Sequence, residues 1–388
     1  MSSFDIAVVG GGLATARFVK GYREAGGKDA ILIVSADDAV PYHRPPLSKR
    51  YLRGEIEAKE TFVEPESFYA EQNAELRLST TVATLGDGEL ELEDGERVPF
   101  GRLVIASGAT PRKVDVPGAG LDRVHTLRRL ADSAAIRERA GESKRAVCIG
   151  SNFIGLEVAA SLTALGLEVA LLDRGTQLFR VLEAPPFSEY LDRLYRDKGV
   201  EVHYGDEAAE FREGMVVTKK GLELEADLAV VGIGVTPAVG WLEGSGVEVD
   251  DGVVVNERFE TSVQGVYAVG DVARFYDPVF GRSRRIEHWS NANYQGAELG
   301  KLLATGEGGY DVVSSFFSEL HGVSVRFFGD ATGHDGQELD GSFEKGEAVL
   351  LYLAGGTIVA ALTMGQEDDT NERLKELIRS SAPLSAYR

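Results

Sequence analysis

Cysteine is nearly absent from this chain: Cys148 is the only one in 388 residues. A single thiol cannot form an intramolecular disulfide, a CxxC redox pair, a haem-attachment motif or a cysteine-based zinc cluster. Cys148 also lies within an apolar strand pattern, where a thiol is usually an unreactive core residue. We therefore expect no metal site, and electrons that reach a bound redox cofactor must leave to a molecule outside the chain.

Basic charge and long apolar runs are also scarce. The chain has 41 Lys and Arg against 62 Asp and Glu, a formal net charge of -21, which argues against general nucleic-acid binding. No run is long and apolar enough to cross a bilayer, and no signal peptide precedes the first apolar strand pattern. These features predict a cytoplasmic globular protein without nucleic-acid or membrane partners, with room for two or three domains of about 100–200 residues each.

Two glycine-rich loops each follow an apolar strand pattern and open a helical one. The first is residues 10–15 (GGGLAT) after the run 6–9, and the second is residues 150–155 (GSNFIG) after the run 146–149. Glycine at such a turn permits close backbone approach to a pyrophosphate held at the helix N-terminus. Two loops of this kind predict two bound dinucleotides and electron transfer between them.

The first loop departs from the usual fingerprint at one position, where Thr15 replaces the third glycine. Asp37 follows the second predicted strand, residues 30–34, at a spacing suited to a ribose-binding acid. Two alternatives stay open: the loop is an ordinary strand-to-helix turn, or Asp37 is a solvated loop acid.

The second loop departs further, because Asn152 replaces its middle glycine. Asparagine tolerates left-handed backbone conformations, so we expect the loop to survive with altered phosphate contact. Asp173 ends the next predicted strand and favours NADH, whereas the adjacent Arg174 could hold a 2′-phosphate and leaves NADPH possible. Arg180 either reaches the adenosine or is a solvated arginine.

Residues 41–49 (PYHRPPLSK) form a proline-stiffened segment that carries two cations. A lysine such as Lys49 near flavin N5 would stabilise charge on the reduced ring. Glu157, on the helix after the second loop, is the candidate counter-charge for Lys49. The alternative is a surface ion pair, which is worth little.

Trp289 precedes a predicted helix near residues 291–303, whose first peptide N–H groups could stabilise the negative edge of a flavin. The neighbouring His288 is more often a structural than a catalytic histidine. Arg282, Arg284 and Arg285 form the densest basic run, which could dock an acidic electron carrier or be a solvated loop.

Taken together, these motifs resemble the FAD-dependent ferredoxin and rubredoxin reductases of oxygenase systems over nearly the whole chain, and more distantly apoptosis-inducing factor. Residues 41–49 are the most specific match. Residues 106–112 (ASGATPR), 155–159 (GLEVA), 267–273 (YAVGDVA) and 287–292 (EHWSNA) agree with it. Residues 316–319 (FFSE) stand where that family has an aromatic motif, with Phe317 and Glu319 in place of the usual tryptophan and aspartate.

The resemblance implies an α/β fold with two Rossmann-like domains, one of them interrupted. The expected segments are an FAD-binding domain in residues 1–112 and 238–308, an inserted NAD(P)H-binding domain in residues 113–237, and a small α+β C-terminal domain in residues 309–388. The expected FAD site comprises Gly10, Gly12, Leu13, Ala14, Thr15, Asp37, Arg44, Lys49, Val82, Ala106, Ser107, Gly108, Arg128, Gly270, Asp271, Glu287, His288 and Trp289. The expected NADH site comprises Gly150, Asn152, Phe153, Ile154, Gly155, Glu157, Asp173, Arg174, Arg180, Gly232, Ile233 and Gly234.

The resemblance implies a flavoprotein that takes hydride from NADH and passes single electrons to a ferredoxin or rubredoxin that serves an oxygenase. The residues expected to act in this reaction are Lys49, Glu157 and Trp289. Two other functions stay open: an NADH oxidase or quinone reductase, and an NADH-responsive interaction protein similar to apoptosis-inducing factor. Both a monomer and a homodimer fit the sequence.

Overall fold

The computed structural model describes residues 4–388. Within this range the helices are Leu13–Glu24 (α1), Glu66–Glu71 (α2), Leu130–Gly141 (α3), Phe153–Ala164 (α4), Pro185–Asp197 (α5), Trp289–Thr305 (α6) and Asp368–Arg379 (α7). The strands are Phe4–Val9 (β1), Ile31–Val34 (β2), Ala74–Arg77 (β3), Val82–Leu85 (β4), Glu89–Leu92 (β5), Arg97–Ile105 (β6), Ala109–Pro111 (β7), Val124–Thr126 (β8), Arg145–Ile149 (β9), Glu168–Asp173 (β10), Glu201–Tyr204 (β11), Ala208–Arg212 (β12), Met215–Thr218 (β13), Glu223–Glu225 (β14), Leu228–Val231 (β15), Val235–Pro237 (β16), Val253–Val255 (β17), Val266–Ala268 (β18), Ala273–Asp277 (β19), Arg282–Arg285 (β20), Ser315–Leu320 (β21), Val323–Gly329 (β22), Gly336–Ser342 (β23), Glu347–Ala354 (β24) and Thr357–Met364 (β25).

The chain divides into two compact units, and each is built from several segments. The first unit comprises Met1–His43, Ala58–Thr110 and Thr236–Val312, and the second comprises Arg44–Glu57, Pro111–Val235 and Val313–Arg388. Each unit contains one of the two glycine-rich loops.

The first unit is built on a mostly parallel sheet. Strands β3, β2, β1 and β6 lie side by side in that order, β18 extends the parallel part beyond β6, and β5 and β4 continue antiparallel from the other half of β6. The buried faces of β1 and β2 are continuous apolar runs, as expected for parallel strands covered on both sides. The first glycine-rich loop therefore leaves the carboxyl end of a central strand, where doubly wound folds bind ligands.

Helices α1 and α6 pack backbone to backbone in this unit. A Cβ on Gly296 would lie 2.2 Å from the carbonyl oxygen of Ala14, and one on Gly300 would lie 2.4 Å from that of Phe18. Glycine is therefore required at both positions of α6, and this close contact holds α6 against the helix that opens from the first loop.

The second unit contains a five-stranded parallel sheet in the order β11-β10-β9-β15-β8. Cys148 lies in the central strand β9 with no exposed surface, and burial raises the pKa of its thiol to about 12. The prediction of an inert core thiol is confirmed. An antiparallel sheet of β12, β13 and β14 also belongs to this unit.

The last part of the second unit is an antiparallel sheet in the order β21-β22-β25-β24-β23, with α7 following β25. Apolar runs in the sequence predict strands near residues 323–328, 349–353 and 358–362, and these strands are present as β22, β24 and β25. Strands β21 and β23 were missing from the sequence prediction. Strand β23 has no buried residue and no apolar alternation to indicate it.

The sequence also predicts a last helix near residues 372–379. Helix α7 begins four residues earlier, at Asp368, and the prediction missed this first turn because it is acidic and lacks an apolar period. Across residues 4–388, no helix combines the length and apolar character that a membrane span requires. The same residues bring together no cluster of histidine, cysteine and acidic side chains suited to a metal ion.

Candidate functional site

The first glycine-rich loop is held by contacts that exclude larger residues. Gly10 has a φ of 121°, and a Cβ there would lie 2.1 Å from the carbonyl oxygen of Ala106. Thr15 is fully buried and donates its hydroxyl proton to the carbonyl oxygen of Gly10 across 2.6 Å. The threonine that replaces the third glycine therefore closes the loop with a hydrogen bond.

Gly12 is the residue from which α1 starts, and the space above it is open. Its backbone is extended, with φ -98° and ψ -173°, and a Cβ would meet no atom within 4 Å. Among the described residues, no side chain caps α1. The first peptide N–H groups of the helix, from Leu13 and Ala14 onward, can therefore be reached by a ligand.

Two other predicted segments lie against this loop. Ala106, Ser107 and Gly108 follow β6, and the Ser107 hydroxyl donates to the carbonyl oxygen of Ala238 across 2.8 Å. Gly270 opens a short 3-10 turn that includes Asp271, and a Cβ on Gly270 would lie 3.3 Å from that of Ala14. The structure thus brings residues 10–15, 106–108 and 270–271 to one region of the first unit.

Asp37 lies just beyond β2 and is half-buried. It accepts a hydrogen bond from the Tyr42 hydroxyl across 2.7 Å, and this contact orients its carboxylate. Tyr42 comes from the proline-stiffened segment, so that segment helps to position the acid. Val82 begins β4, where it is buried and faces Leu92.

Trp289 is the first residue of α6, which starts two residues before the start expected at residue 291. Its indole N–H donates to His43 Nδ1 across 2.9 Å, so that His43 nitrogen must be unprotonated. Burial, with the nearby Arg17 charge, lowers the pKa of His43 and favours this neutral form. Burial also lowers the pKa of the neighbouring His288 to about 4, which suits a structural histidine.

Two arginines of the basic run 282–285 are paired with carboxylates. Arg284 contacts the fully buried Asp277 at 2.7 Å, and Arg285 contacts Asp251 at 3.2 Å and also Glu287. Their side chains are only 13% and 9% exposed. Neighbouring carboxylates therefore compensate the charge of both arginines, and docking of an acidic carrier at this run stays a prediction.

The second glycine-rich loop is closed more tightly than the first. Gly150 has a φ of 99°, and a Cβ there would lie 2.4 Å from the carbonyl oxygen of Gly232. A Cβ on Gly155 would lie 1.7 Å from the carbonyl oxygen of Gly150. The turn 232–234 therefore lies directly on this loop, as predicted, with Ile233 partly exposed and Gly234 at a φ of 102°.

Asn152 does not use a left-handed conformation, so that part of the prediction is wrong. It precedes α4 with an extended backbone at φ -102° and ψ -158°, close to that of Gly12 in the first loop. Any residue tolerates this conformation. The Asn152 side chain accepts a hydrogen bond from the Val181 N–H across 3.4 Å and does not cap the helix.

Asp173 ends β10 and holds the second loop in place. One carboxylate oxygen accepts the Ser151 N–H and the other accepts the Gly175 N–H, both across 2.6 Å. The residue is 5% exposed, whereas Arg174 and Arg180 are exposed, and Arg180 Nε lies 3.9 Å from Asp173. The acid and the two arginines expected around an adenosine ribose are therefore grouped beside the loop.

Aromatic packing fixes the start of α4. The ring of Phe153 meets those of Phe179 and Phe316 edge to face, with centroid distances of 4.7 and 4.9 Å. Phe316 belongs to the 316–319 motif and lies on β21. Ile154, the next residue of α4, is half-buried.

Two predicted FAD residues meet in the second unit. The Arg44 guanidinium donates to the carbonyl oxygen of Arg128 across 2.5 Å. The Arg128 and Arg129 N–H groups both donate to Asp132 in the first turn of α3, so this carboxylate anchors the loop that Arg44 reaches.

Lys49 and Glu157 form a buried ion pair, which confirms the predicted counter-charge and excludes a surface pair. Lys49 Nζ lies 2.5 Å from Glu157 Oε2, and the two side chains are 10% and 7% exposed. Glu157 also accepts the Ser48 hydroxyl at Oε2 across 2.5 Å and the Ser318 hydroxyl at Oε1 across 2.7 Å. Both oxygens of the carboxylate are therefore engaged.

Sequence reasoning missed Ser48 and Ser318. Ser48 lies within the quoted PYHRPPLSK motif beside Lys49, so its position was a usable signal. Ser318 lies in the FFSE motif, but nothing local places that segment, 161 residues further along the chain, next to Glu157. On β21 the buried and exposed residues alternate, which turns Ser318 inward while Phe317 and Glu319 face out.

Comparison with known proteins identifies the family to which this chain belongs. Residues 4–296 match the pyridine nucleotide-disulphide oxidoreductase family. Putidaredoxin reductase CamA of Pseudomonas putida is 31% identical, over 98% of this chain and 93% of its own length. The ferredoxin–NAD(+) reductase component of the p-cumate 2,3-dioxygenase system of Pseudomonas putida is 32% identical, over 94% and 90%. The crystal structure of a covalent putidaredoxin reductase–putidaredoxin complex superposes with a TM-score of 0.94 at 31% identity, covering 99% of this chain and 94% of that one. The chain therefore belongs to the pyridine nucleotide-disulphide oxidoreductase family, among the reductases that resemble putidaredoxin reductase.

Proposed function

We propose that this protein is an FAD-dependent reductase that takes hydride from NADH and passes electrons singly to a ferredoxin or rubredoxin serving an oxygenase. The observation that carries the proposal is the position of Cys148, the only cysteine of the chain, in the middle of β9 with no exposed surface. A family member that lacks a cysteine pair cannot hand electrons to a disulfide of its own. A separate carrier fits this constraint, and the relatives named above include reductases of ferredoxin-type proteins.

The backbone of the first unit has the features that an FAD-binding site requires. Open space lies above Gly12 at the uncapped start of α1, and this end of a helix favours the pyrophosphate. Asp37, oriented by Tyr42, would accept ribose hydroxyls, and the turn at Gly270 and Asp271 lies against the same helix. Bound there, FAD would accept a hydride and release its electrons one at a time.

The second unit fits NADH in the corresponding way. Gly150 and Gly155 would let the backbone approach a pyrophosphate closely, and Asp173 lies beside the loop at the end of β10. A buried carboxylate at this position repels a 2′-phosphate, so we propose NADH as the preferred donor. The exposed Arg174 and Arg180 are the residues through which NADPH would bind.

Lys49 and Glu157 would set the charge at the reacting centre. Both oxygens of Glu157 accept hydrogen bonds from serine hydroxyls, and Lys49 Nζ lies 2.5 Å from Oε2, so the ion pair is held in one position. A fixed buried cation favours an electron-rich reduced cofactor, whereas its loss would leave the carboxylate charge uncompensated.

Anaerobic stopped-flow spectroscopy tests the proposal. The holoprotein is reduced with one equivalent of NADH and then mixed with an oxidised [2Fe–2S] ferredoxin or a rubredoxin, with oxygen and a quinone as matched acceptors. Reoxidation by an iron–sulfur protein should be at least about a hundredfold faster than by either control, a difference of about 2.7 kcal/mol in activation free energy.

The other outcomes separate the alternatives. Equally rapid reoxidation by oxygen or quinone would replace the proposal with an oxidase or quinone reductase. A reduced protein that persists with every acceptor, together with an NADH-dependent change in oligomeric state by sedimentation, would favour an NADH-responsive interaction protein. A cytoplasmic location and the choice between monomer and homodimer stay predictions.

A further inference from the structure

A cavity of about 390 Å³ lies in the second unit beside the buried ion pair. Its polar lining comes from four separate stretches of chain and includes Lys49, Arg53, Glu157, Lys198, Glu319 and His321. Helix α4 supplies one wall through Glu157, Ala160, Ser161 and Ala164.

The residues that line this cavity differ in burial. Lys49 and Glu157 are 8% and 6% exposed as whole residues. Lys198, Glu319 and Ala164 are exposed. The cavity therefore leads from the protein surface to a buried carboxylate–ammonium pair.

The proposed reaction makes such a connection necessary, so this inference rests on the proposed function. NADH and two oxidised one-electron carriers yield NAD⁺, two reduced carriers and one proton. Hydride carries two electrons and one proton, and the carriers remove only the electrons. One proton must therefore reach water in every cycle.

We propose that this cavity is the route by which that proton leaves, and that Lys49 and Glu157 are the buried groups that pass the proton to water in the cavity. Glu157 Oε2 takes a proton from Lys49 Nζ across 2.5 Å and gives it to water in the cavity. Lys49 is reprotonated by the proton that the reaction releases, which restores the pair. No oxidant or reductant is consumed by this exchange.

The other titratable groups of the cavity limit where the proton goes next. Burial and the nearby Lys198 charge lower the pKa of His321 to about 4, so this ring is neutral at neutral pH and holds no proton. Arg53 is held by Glu55 at 2.6 Å and by Ser161 at 3.3 Å. Glu319 is thus the exposed carboxylate of the lining and the group best placed to pass the proton to bulk water.

Filling the cavity without touching the ion pair tests this route. Ala160→Leu places a larger side chain about one helical turn from Glu157, and Ala164→Phe places one about two turns away, at an exposed position where folding is not at risk. Ala160→Ser is the matched control, because it changes the same residue and leaves the space open. Flavin content and circular dichroism establish that each variant is folded.

The kinetic measurement uses ferricyanide as a one-electron acceptor, so that it does not depend on an iron–sulfur partner. Stopped-flow absorbance follows ferricyanide reduction, and a pH-indicator dye in weak buffer follows proton release. In the wild type and in Ala160→Ser the two signals should coincide. In both filled variants proton release should lag by about tenfold or more, equivalent to about 1.4 kcal/mol in activation free energy.

A second measurement uses the apoprotein and needs no turnover. Reductive methylation with formaldehyde, followed by peptide mass spectrometry, measures how fast a small reagent reaches Lys49. Labelling of Lys49 should slow about tenfold in the filled variants, while Lys198 at the surface gives an unchanged internal reference.

These two measurements leave the proposal open to refutation. Proton release that keeps pace with electron transfer while Lys49 labelling slows would show that protons leave by another path. Unchanged Lys49 labelling in both filled variants would show that the cavity does not lead to the pair. A wild-type protein that fails to reduce ferricyanide with NADH would instead refute the proposed function, and the labelling result would still report on access to Lys49.

Discussion

The Ser318 hydroxyl donates a hydrogen bond to Glu157 Oε1 across 2.7 Å, although the two residues lie 161 positions apart in the chain. Ser318 has no exposed surface and Glu157 is 6% exposed. The contact joins β21 of the C-terminal sheet to the helix that opens from the second glycine-rich loop. The charge at the ion pair therefore depends on a segment outside both nucleotide-binding motifs.

Replacing Ser318 with alanine should destabilise the protein, because one oxygen of a buried carboxylate then loses its donor. The expected decrease in the free energy of unfolding is about 1.5–3 kcal/mol, the range for hydrogen bonds to charged groups. Urea denaturation followed by circular dichroism measures it. Ser314→Ala is the matched control, since Ser314 is buried in the same segment but donates to the Gly329 carbonyl. Equal losses in the two variants would contradict a special role for the Glu157 contact.

Gly155→Ala should lower both the stability of the protein and its binding of NADH, whereas Gly12→Ala should lower only its affinity for FAD. The added Cβ at Gly155 would lie 1.7 Å from a carbonyl oxygen, so we expect unfolding free energy to fall by more than about 2 kcal/mol and NADH binding to be lost. The Cβ at Gly12 meets nothing within 4 Å, so the apoprotein should keep its stability while FAD affinity falls. Thermal unfolding of the apoproteins and titration with FAD and NADH distinguish the two. A Gly12→Ala protein with unchanged FAD affinity would contradict the phosphate site at α1.

His321 should make the protein less stable in mild acid. Its folded pKa of about 4 lies below the ordinary histidine value of about 6.5, so the unfolded chain binds more protons between these two pH values. Stability is therefore complete above pH about 6.5, falls as pH drops towards 4, and His321→Gln should flatten this slope. Urea midpoints measured between pH 4 and 7 provide the check. An identical slope in the variant would assign acid sensitivity to other histidines such as His288.

Asp173→Asn should reduce the preference for NADH over NADPH. The carboxylate accepts the Ser151 and Gly175 N–H groups, and the neutral amide keeps an acceptor while removing the charge that repels a 2′-phosphate. We expect the ratio of kcat/KM for NADH to that for NADPH to fall by about 10- to 100-fold, or about 1.4–2.7 kcal/mol. Steady-state assays with both coenzymes and ferricyanide measure the ratio. Arg174→Ala is the comparison, because it should weaken NADPH alone.

The parts of the fold that sequence could predict are those whose signals are local. The apolar runs before residues 10–15 and 150–155 located β1 and β9, and the glycines that follow them located the turns, because periodicity and backbone freedom act over a few residues. Helix α6 was predicted on the same basis, with a start two residues later than the observed one at Trp289, and so was the inert state of Cys148. Strand β23 and the first turn of α7 were missed because neither has an apolar period.

The site departed from prediction wherever a distant segment decides the outcome. The sequence predicted a left-handed backbone at Asn152, but the backbone there is extended. The sequence also shows a basic run at residues 282–285, and the structure pairs Arg284 of that run with Asp277. Neither the geometry of a loop nor the neutralisation of a charge can be derived from residue type alone, because each depends on neighbours that packing supplies.

The amino-acid sequence by itself determined the two nucleotide loops, the absence of a cysteine pair and the pairing partner proposed for Lys49. Only the tertiary structure decided that this pair is buried, that Ser48 and Ser318 engage both oxygens of Glu157, and that a cavity leads to it. The physical reason is the range of the interactions: backbone conformation follows from neighbours along the chain, whereas desolvation of a charge and the hydrogen bonds that compensate it require segments brought together by folding.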